Sequence, residues 1–232
     1  MGFIKSLFKW GVIIGILAVG IQIWITKKTY IFDEKVIEEI GKKHAGGENI
    51  PEMVTKISSE LRVKYPYHVL PLDDDIEMIF MNSGGKMCAG NVLHQSATEA
   101  VVIYGTAMDT SGHSGRHWAE ATKIVLSGSV KIWKEGTYKS VEYKAGDVIK
   151  SAVGEASGVT MSEGTWLLSY GRGFIFSIGP YTLADSLFST LDFHTIFKIL
   201  RMSMKATIYE CSHCFTHIID TIKHRLLAAG AP

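Results

Sequence analysis

Residues 10–25, WGVIIGILAVGIQIWI, contain no charged side chain and a single amide, Gln22. With Leu7 and Phe8 the apolar run approaches the roughly 20 residues that a helix needs to cross a ~30 Å hydrocarbon core, so residues 1–29 read as an N-terminal transmembrane anchor. Lys5 and Lys9 precede the run and Lys27 and Lys28 follow it; the basic flanks are balanced, which leaves the orientation open. A cleaved signal peptide is the alternative. Its small-residue cleavage pattern is missing, and Trp24 followed by Lys27 and Lys28 reads as an interfacial stop. The start MGFIKS fits a loose myristoylation pattern, but a spanning helix makes that lipid redundant.

Beyond the anchor, a chain of 232 residues with 47% hydrophobic content has enough apolar surface for one core-forming domain. The formal net charge is +1 and the lysines and arginines are spread among acidic residues, so no basic block marks a nucleic-acid partner. Three cysteines, Cys88, Cys211 and Cys214, are too few and too unevenly placed for a disulfide framework. Cys211, Cys214 and His217 recur every three residues, as soft metal ligands on a helical stripe would, but no second ligand cluster accompanies them; a helix face of polarizable side chains is the expectation.

The chain divides by periodicity. Residues 30–98 read as a helical lead-in: Phe32, Val36, Ile37 and Ile40, then Met53, Val54, Ile57 and Leu61, follow a helical period interrupted by HAGGEN. LPLDDDIEMIF begins a further helix or turn, with its acidic run at the head as a cap rather than a metal site. Residues 99–178 change to short β-rich runs separated by glycine turns, the rhythm of a small cupin-like β-barrel that encloses packed side chains or one small ligand. Residues 179–232 return to helical spacing as two C-terminal helices, with STLD at 189–192 as a capping box carrying Asp in place of Glu. Phe188, Phe193, Phe197, Leu200, Met202 and Met204 exceed what one barrel wall buries, so these helices are expected to rest on a membrane surface, to close the barrel, or both. The fold class is therefore α+β.

Few motifs carry chemistry. His113, His117 and Glu120 in GHSGRHWAE invite a metal reading, but metal-binding cupins place two histidines one residue apart on a strand, and here Gly112 and Gly115 bracket His113 in a turn; no metal is expected. NSGGKMCAG has neither a Walker nor a dinucleotide pattern, so Gly84, Gly85 and Gly90 are read as permitting close packing at a turn or a subunit contact. GHSGR lacks the glycine spacing of a nucleophile elbow.

Five stretches in order, GTAMDTSGHSGRHWAE, WKEGTYKSVEYKAGDVI, VGEASG, TWLLSYGRGFI and LADSLFSTLDF, give the chain a specific likeness. From about Phe32 to about Met204 it resembles the sigma-1 receptor and fungal sterol delta-8 to delta-7 isomerase family, with almost no gaps. The resemblance implies an endoplasmic reticulum membrane protein, a cupin-like barrel around an apolar pocket without metal or other cofactor, C-terminal helices on the membrane, and homo-oligomers, often trimers. It also implies two buried carboxylates. In the isomerase they exchange protons with a sterol alkene through a carbocation; in the receptor the same pair holds a protonated lipophilic amine.

At the matching positions this chain departs from the pattern. The first acid, a few residues after WAE, falls at Lys123, and the second, immediately before YGRG, falls at Ser169. The supporting tyrosine falls at Ala100 and the pocket histidine at about Ser151; Val102, Tyr104 and Met161 complete the expected lining. A serine hydroxyl has no carboxyl proton to deliver, and a buried ammonium opposes a cation. The expectation is a non-catalytic, sigma-1-receptor-like protein that binds a neutral lipid or sterol or acts through protein partners. The alternative is a sterol isomerase using relocated acids, for which Glu120, Glu142, Asp147, Glu155 and Glu163 are the candidates.

Overall fold

A computed structural model describes residues 2–47, 49–71 and 78–229, with side chains described within those ranges from Ile4 to Ser212 and at Thr216. The acidic run at 73–75 and the side chains of Cys214 and His217 lie outside the described residues. The chain forms two compact units, Met1–Ile31 and Phe32–Pro232. The first holds helix α1 (Gly2–Lys27), whose stretch Ile4–Lys27 has a mean hydropathy of 1.9 and is long and apolar enough to cross a membrane.

The second unit starts with the two expected amphipathic helices. Asp33 caps α2 (Glu34–His44) by accepting from the Lys35 N–H, and Asn49 caps α3 (Ile50–Lys64) by accepting from the Glu52 N–H. Their buried faces carry Ile37 and Ile40, and Met53, Val54, Ile57 and Leu61, at the spacing the sequence shows.

Strands follow earlier than periodicity suggests. β1 (Ile79–Ser83) and β2 (Lys86–Gln95) lie within the stretch expected to be a helical lead-in. Gly84 and Gly85, at φ of 64° and 79°, form the two-residue turn of this hairpin, and pairing with β3 (Glu99–Gly105) holds β2 extended despite its Gly, Ala and Asn content. Then come β4 (Thr110–His113), β5 (Ala119–Ser127), β6 (Ser129–Lys134), β7 (Val141–Lys144), β8 (Val148–Ser151), β9 (Ser157–Met161) and β10 (Trp166–Gly173).

They form two sheets, β1-β2-β3-β10-β5-β8 and β4-β9-β6-β7, antiparallel throughout. Cys88, Val125, Ile149 and Leu167 of the larger sheet pack with Val130, Ile132, Val159 and Met161 of the smaller one, so the sheets face each other.

Two helices end the chain, α4 (Gly179–Phe188) and α5 (Phe193–Ala229). The capping at 189–192 differs from expectation. Asp192, not Ser189, is the cap of α5: its carboxylate accepts from the Thr195 N–H at 2.9 Å and from the Thr195 hydroxyl at 2.6 Å. Ser189 instead ends α4, donating its N–H to the Asp185 carbonyl. The Leu191 backbone, at φ 52°, separates the two helices.

α2 packs on β5 and β10, and α5 on β2, all on one face of the larger sheet. On that face Val101, Ile103, Ile124, Leu126 and Leu168 have no more than a trace of exposure. Gly41 lets α2 approach closely: a Cβ there would lie 2.9 Å from Ile124 Cβ. The main apolar core is thus between sheet and helices.

Candidate functional site

Side chains of one strand alternate between two faces, so the helix-covered face identifies the other. The Thr122 hydroxyl donates to Glu34 of α2 at 2.9 Å and the Tyr170 hydroxyl reaches Glu99 at 2.9 Å, which puts both on the helix-covered face. Lys123 and Ser169 therefore point between the sheets. In the pairing of β10 with β5 they are directly opposite, and the row continues through Val102 and Val92 on one side and Ile149 on the other. Opposed residues have Cβ atoms ~4.5–5.5 Å apart, so the ammonium stem and the hydroxyl are neighbours.

The next inward row is Ala100, Gly171, Ala121 and Ser151. These side chains are small, and Ile175 covers part of the row, with its Cδ1 3.4 Å from where a Cβ at Gly171 would stand. Ala100 ends it in a small cluster with Ala119 and Ile175, against which Val102 and Ile178 pack. The row on the opposite side, Tyr104, Leu167 and Val125, is bulky and belongs with Met161 to the packed part between the sheets. Val102, Tyr104, Lys123 and Ser169 keep some accessible surface although their strands are central and their outward neighbours are buried, whereas Ser151 lies on the edge strand β8 between exposed Lys150 and Ala152. That accessible surface belongs to the space between the sheets.

Of the expected lining, Lys123, Ser169, Ala100, Ser151 and Val102 come together around that space, and Tyr104 closes one side of it. Met161 is fully buried in the packed cluster, beyond Tyr104.

The electrostatics of this space are basic. Burial holds the Lys123 ammonium below its usual range, with the Glu155 charge working the other way. Among the described residues Lys123 has neither an ion pair nor a hydrogen bond. A second lysine, Lys86, is 7% exposed and donates to the His113 carbonyl at 2.7 Å and to the Tyr181 hydroxyl at 3.1 Å. Burial, with a smaller contribution from Lys123, lowers it to about 8. Burial also lowers His117 and raises the Cys88 thiol and the Tyr104 phenol. Lys86 was not legible as an interior group, because a lysine after two turn glycines reads as a solvated hairpin residue.

None of the candidate replacement acids faces the interior. Glu120 lies on the other face of β5, 2.8 Å from Arg172. Glu142, Asp147 and Glu163 are exposed. Glu155 accepts from the Ala152 N–H and pairs with Lys134 at 2.7 Å. His113 is exposed and accepts from the Gly115 N–H, while His117 Nε2 meets the Ser114 carbonyl at 3.0 Å, so these histidines and Glu120 do not converge.

A membrane-length helix ahead of a helix-backed β-sheet pair agrees with the sequence likeness. Residues 8–213 match the family described as ERG2 and Sigma1 receptor like protein, and the chain belongs to that family. It is 42% identical over 219 residues to Sigma non-opioid intracellular receptor 1 of Danio rerio, covering 93% of this chain and 98% of that protein. The same receptor of Taricha granulosa is 45% identical, over 85% of this chain and 89% of that one. C-8 sterol isomerase ERG2 of Gibberella zeae is 36% identical, over 77% of this chain and 76% of that one.

Among solved structures, an RmlC-like cupin from Shewanella frigidimarina covers 45% of this chain and 89% of its own, with 14% identity and a TM-score of 0.39. The polyketide cyclase RemF of Streptomyces resistomycificus covers 48% of this chain and 88% of its own, with 19% identity and a TM-score of 0.36.

Proposed function

We propose that this chain is a non-catalytic, sigma-1-receptor-like protein of the endoplasmic reticulum membrane whose two facing sheets act as a cupin-like barrel around a neutral lipid or sterol, or which acts through protein partners. The observation that carries this reading is the Lys123–Ser169 pair at the positions where the family resemblance implies two carboxylates. A carbocation or a protonated amine placed there would meet the Lys123 ammonium, and the carboxylate that acts on it, Glu155, is paired with Lys134. Glu120, Glu142, Asp147 and Glu163 lie outside, and Glu155 is already held by Lys134, which disfavours an isomerase with relocated acids.

In this proposal α1 spans the membrane and α4 and α5 lie on its surface. Supporting the second part, Phe193, Phe197, Leu200, Met204 and Ile208 of α5 are exposed along one stripe, with Phe188 of α4, while Ala206 and Glu210 are buried. Homo-oligomers, with a trimer as the first form, belong to the same proposal and rest on the family resemblance.

The test is a binding titration of the detergent-purified full chain with a lipophilic protonated amine and, in parallel, a neutral sterol of similar size. Sterol binding with weak amine binding is expected. Tight amine binding, or turnover of a delta-8 sterol, would overturn the proposal.

A further inference from the structure

The interior described above has an unusual charge balance. Two lysines belong to it, and the carboxylates that act on them are engaged elsewhere, Glu155 with Lys134 and Asp185 with the Gly85 N–H. Lys86 is satisfied by the His113 carbonyl and the Tyr181 hydroxyl. Lys123 is enclosed and has no protein partner among the described residues, and the nearest opposing charge, Glu155, is committed to Lys134 and to the Ala152 N–H. Desolvating an ammonium without a counter-charge is costly, and the cost is removed by an anion that enters with its own apolar body. A neutral hydroxyl would leave the charge unbalanced.

The geometry around Lys123 gives such a guest a head site and a tail site. Ser169, directly opposite, has a hydroxyl that can donate to a second acceptor oxygen. Val102, beside Ser169 on the same inward row, and Tyr104 keep accessible surface and offer the guest an apolar lining. An ammonium, a hydroxyl and an apolar lining side by side suit an amphiphile with a single acidic head.

We propose that the Lys123–Ser169 pair binds the carboxylate of a long-chain fatty acid, with the acyl chain against Val102 and Tyr104. This rests on the reading of the interior as a lipid pocket and sharpens it, replacing a neutral head group by an acidic one. Relative to a carboxylate-lined pocket, the charge preference of the site is inverted.

The test compares hexadecanoate with hexadecanol, ligands of equal chain length and opposite head chemistry, on the detergent-purified full chain, and adds a neutral sterol as a control for the pocket itself. At pH 7 hexadecanoate is expected to bind at least tenfold tighter than hexadecanol. Lys123→Met should abolish that preference; its melting temperature reports whether it folds. Ser169→Ala should reduce hexadecanoate affinity by several-fold. The preference in the unmodified protein is decisive even where a variant folds poorly. Equal affinity for both ligands would overturn the fatty-acid assignment while the lipid pocket stands. Failure of the acid, the alcohol and the sterol to bind would overturn both.

Discussion

Glu210 of α5 lies 3.0 Å from Nδ1 of His68, with Nδ1 of His94 3.7 Å away, so the long C-terminal helix is fastened to the sheet through a carboxylate between two imidazoles. His94 is 2% exposed, its Nδ1 is 2.6 Å from the His68 carbonyl, and its Nε2 is buried without a partner among the described residues. Burial lowers its pKa, while the His68 carbonyl, Glu210 and Glu99 act in the opposite direction and the His68 ring adds to the lowering. A depressed folded-state value means that, as pH falls through the unfolded value of about 6.5, the unfolded chain takes up the proton first. The stability contributed by neutral His94 is complete above that value and is lost as pH falls below it. The melting temperature at pH 5.5 should therefore be lower than at pH 7.5, and His94→Gln should narrow the difference. Identical pH dependence in the two proteins would refute this.

Lys123→Asp combined with Ser169→Glu places a carboxylate pair on opposed positions of one inward row. The double variant should bind a lipophilic protonated amine at least tenfold more tightly than the parent chain, measured by direct titration. A well-folded variant with no gain would show that these two positions do not by themselves account for the pocket's preference.

Tyr170→Phe removes a hydroxyl that reaches Glu99 at 2.9 Å and the Phe32 carbonyl at 3.1 Å, all buried on the helix-covered face. Leaving those acceptors without this donor should cost about 1–3 kcal/mol of folding free energy. Chemical denaturation should detect that loss, and ligand affinity should not move, because Tyr170 points away from the interior.

Gly41→Val puts a side chain where α2 touches Ile124, at a Cβ separation of 2.9 Å for the first added atom. The helix has to retreat from β5, and a loss of roughly 1–3 kcal/mol is expected, read from denaturant midpoints. A midpoint equal to that of the parent chain would contradict the close approach.

Much of this architecture was legible residue by residue. The apolar run at 10–25 and the helical spacing of Ile37, Ile40, Ile57 and Leu61 report on local structure, which is why α1, α2 and α3 fall where they were expected. The strands at 79–95 were not legible, since β2 is held by its pairing with β3 and by the Gly84–Gly85 turn rather than by its own propensity. Ser189 looked like a cap because its spacing to Asp192 is correct, yet the chain turns at Leu191 and makes Asp192 the cap. Of the site, family motifs located Lys123, Ser169, Ala100 and Ser151. The cross-strand register that joins them, and the interior placement of Lys86, depend on long-range pairing that no local pattern encodes.

The close-packed layer beneath α2 and α5 lies on the opposite side of the larger sheet from Lys123 and Ser169. Alternate residues of the same strands therefore answer to different demands: Thr122, Ile124, Leu168 and Tyr170 to folding, and Lys123, Ser169 and Ala100 to whatever is enclosed. A chain built this way can change polarity at inward positions such as Lys123 and Ser169 while the contacts beneath the helices are inherited intact.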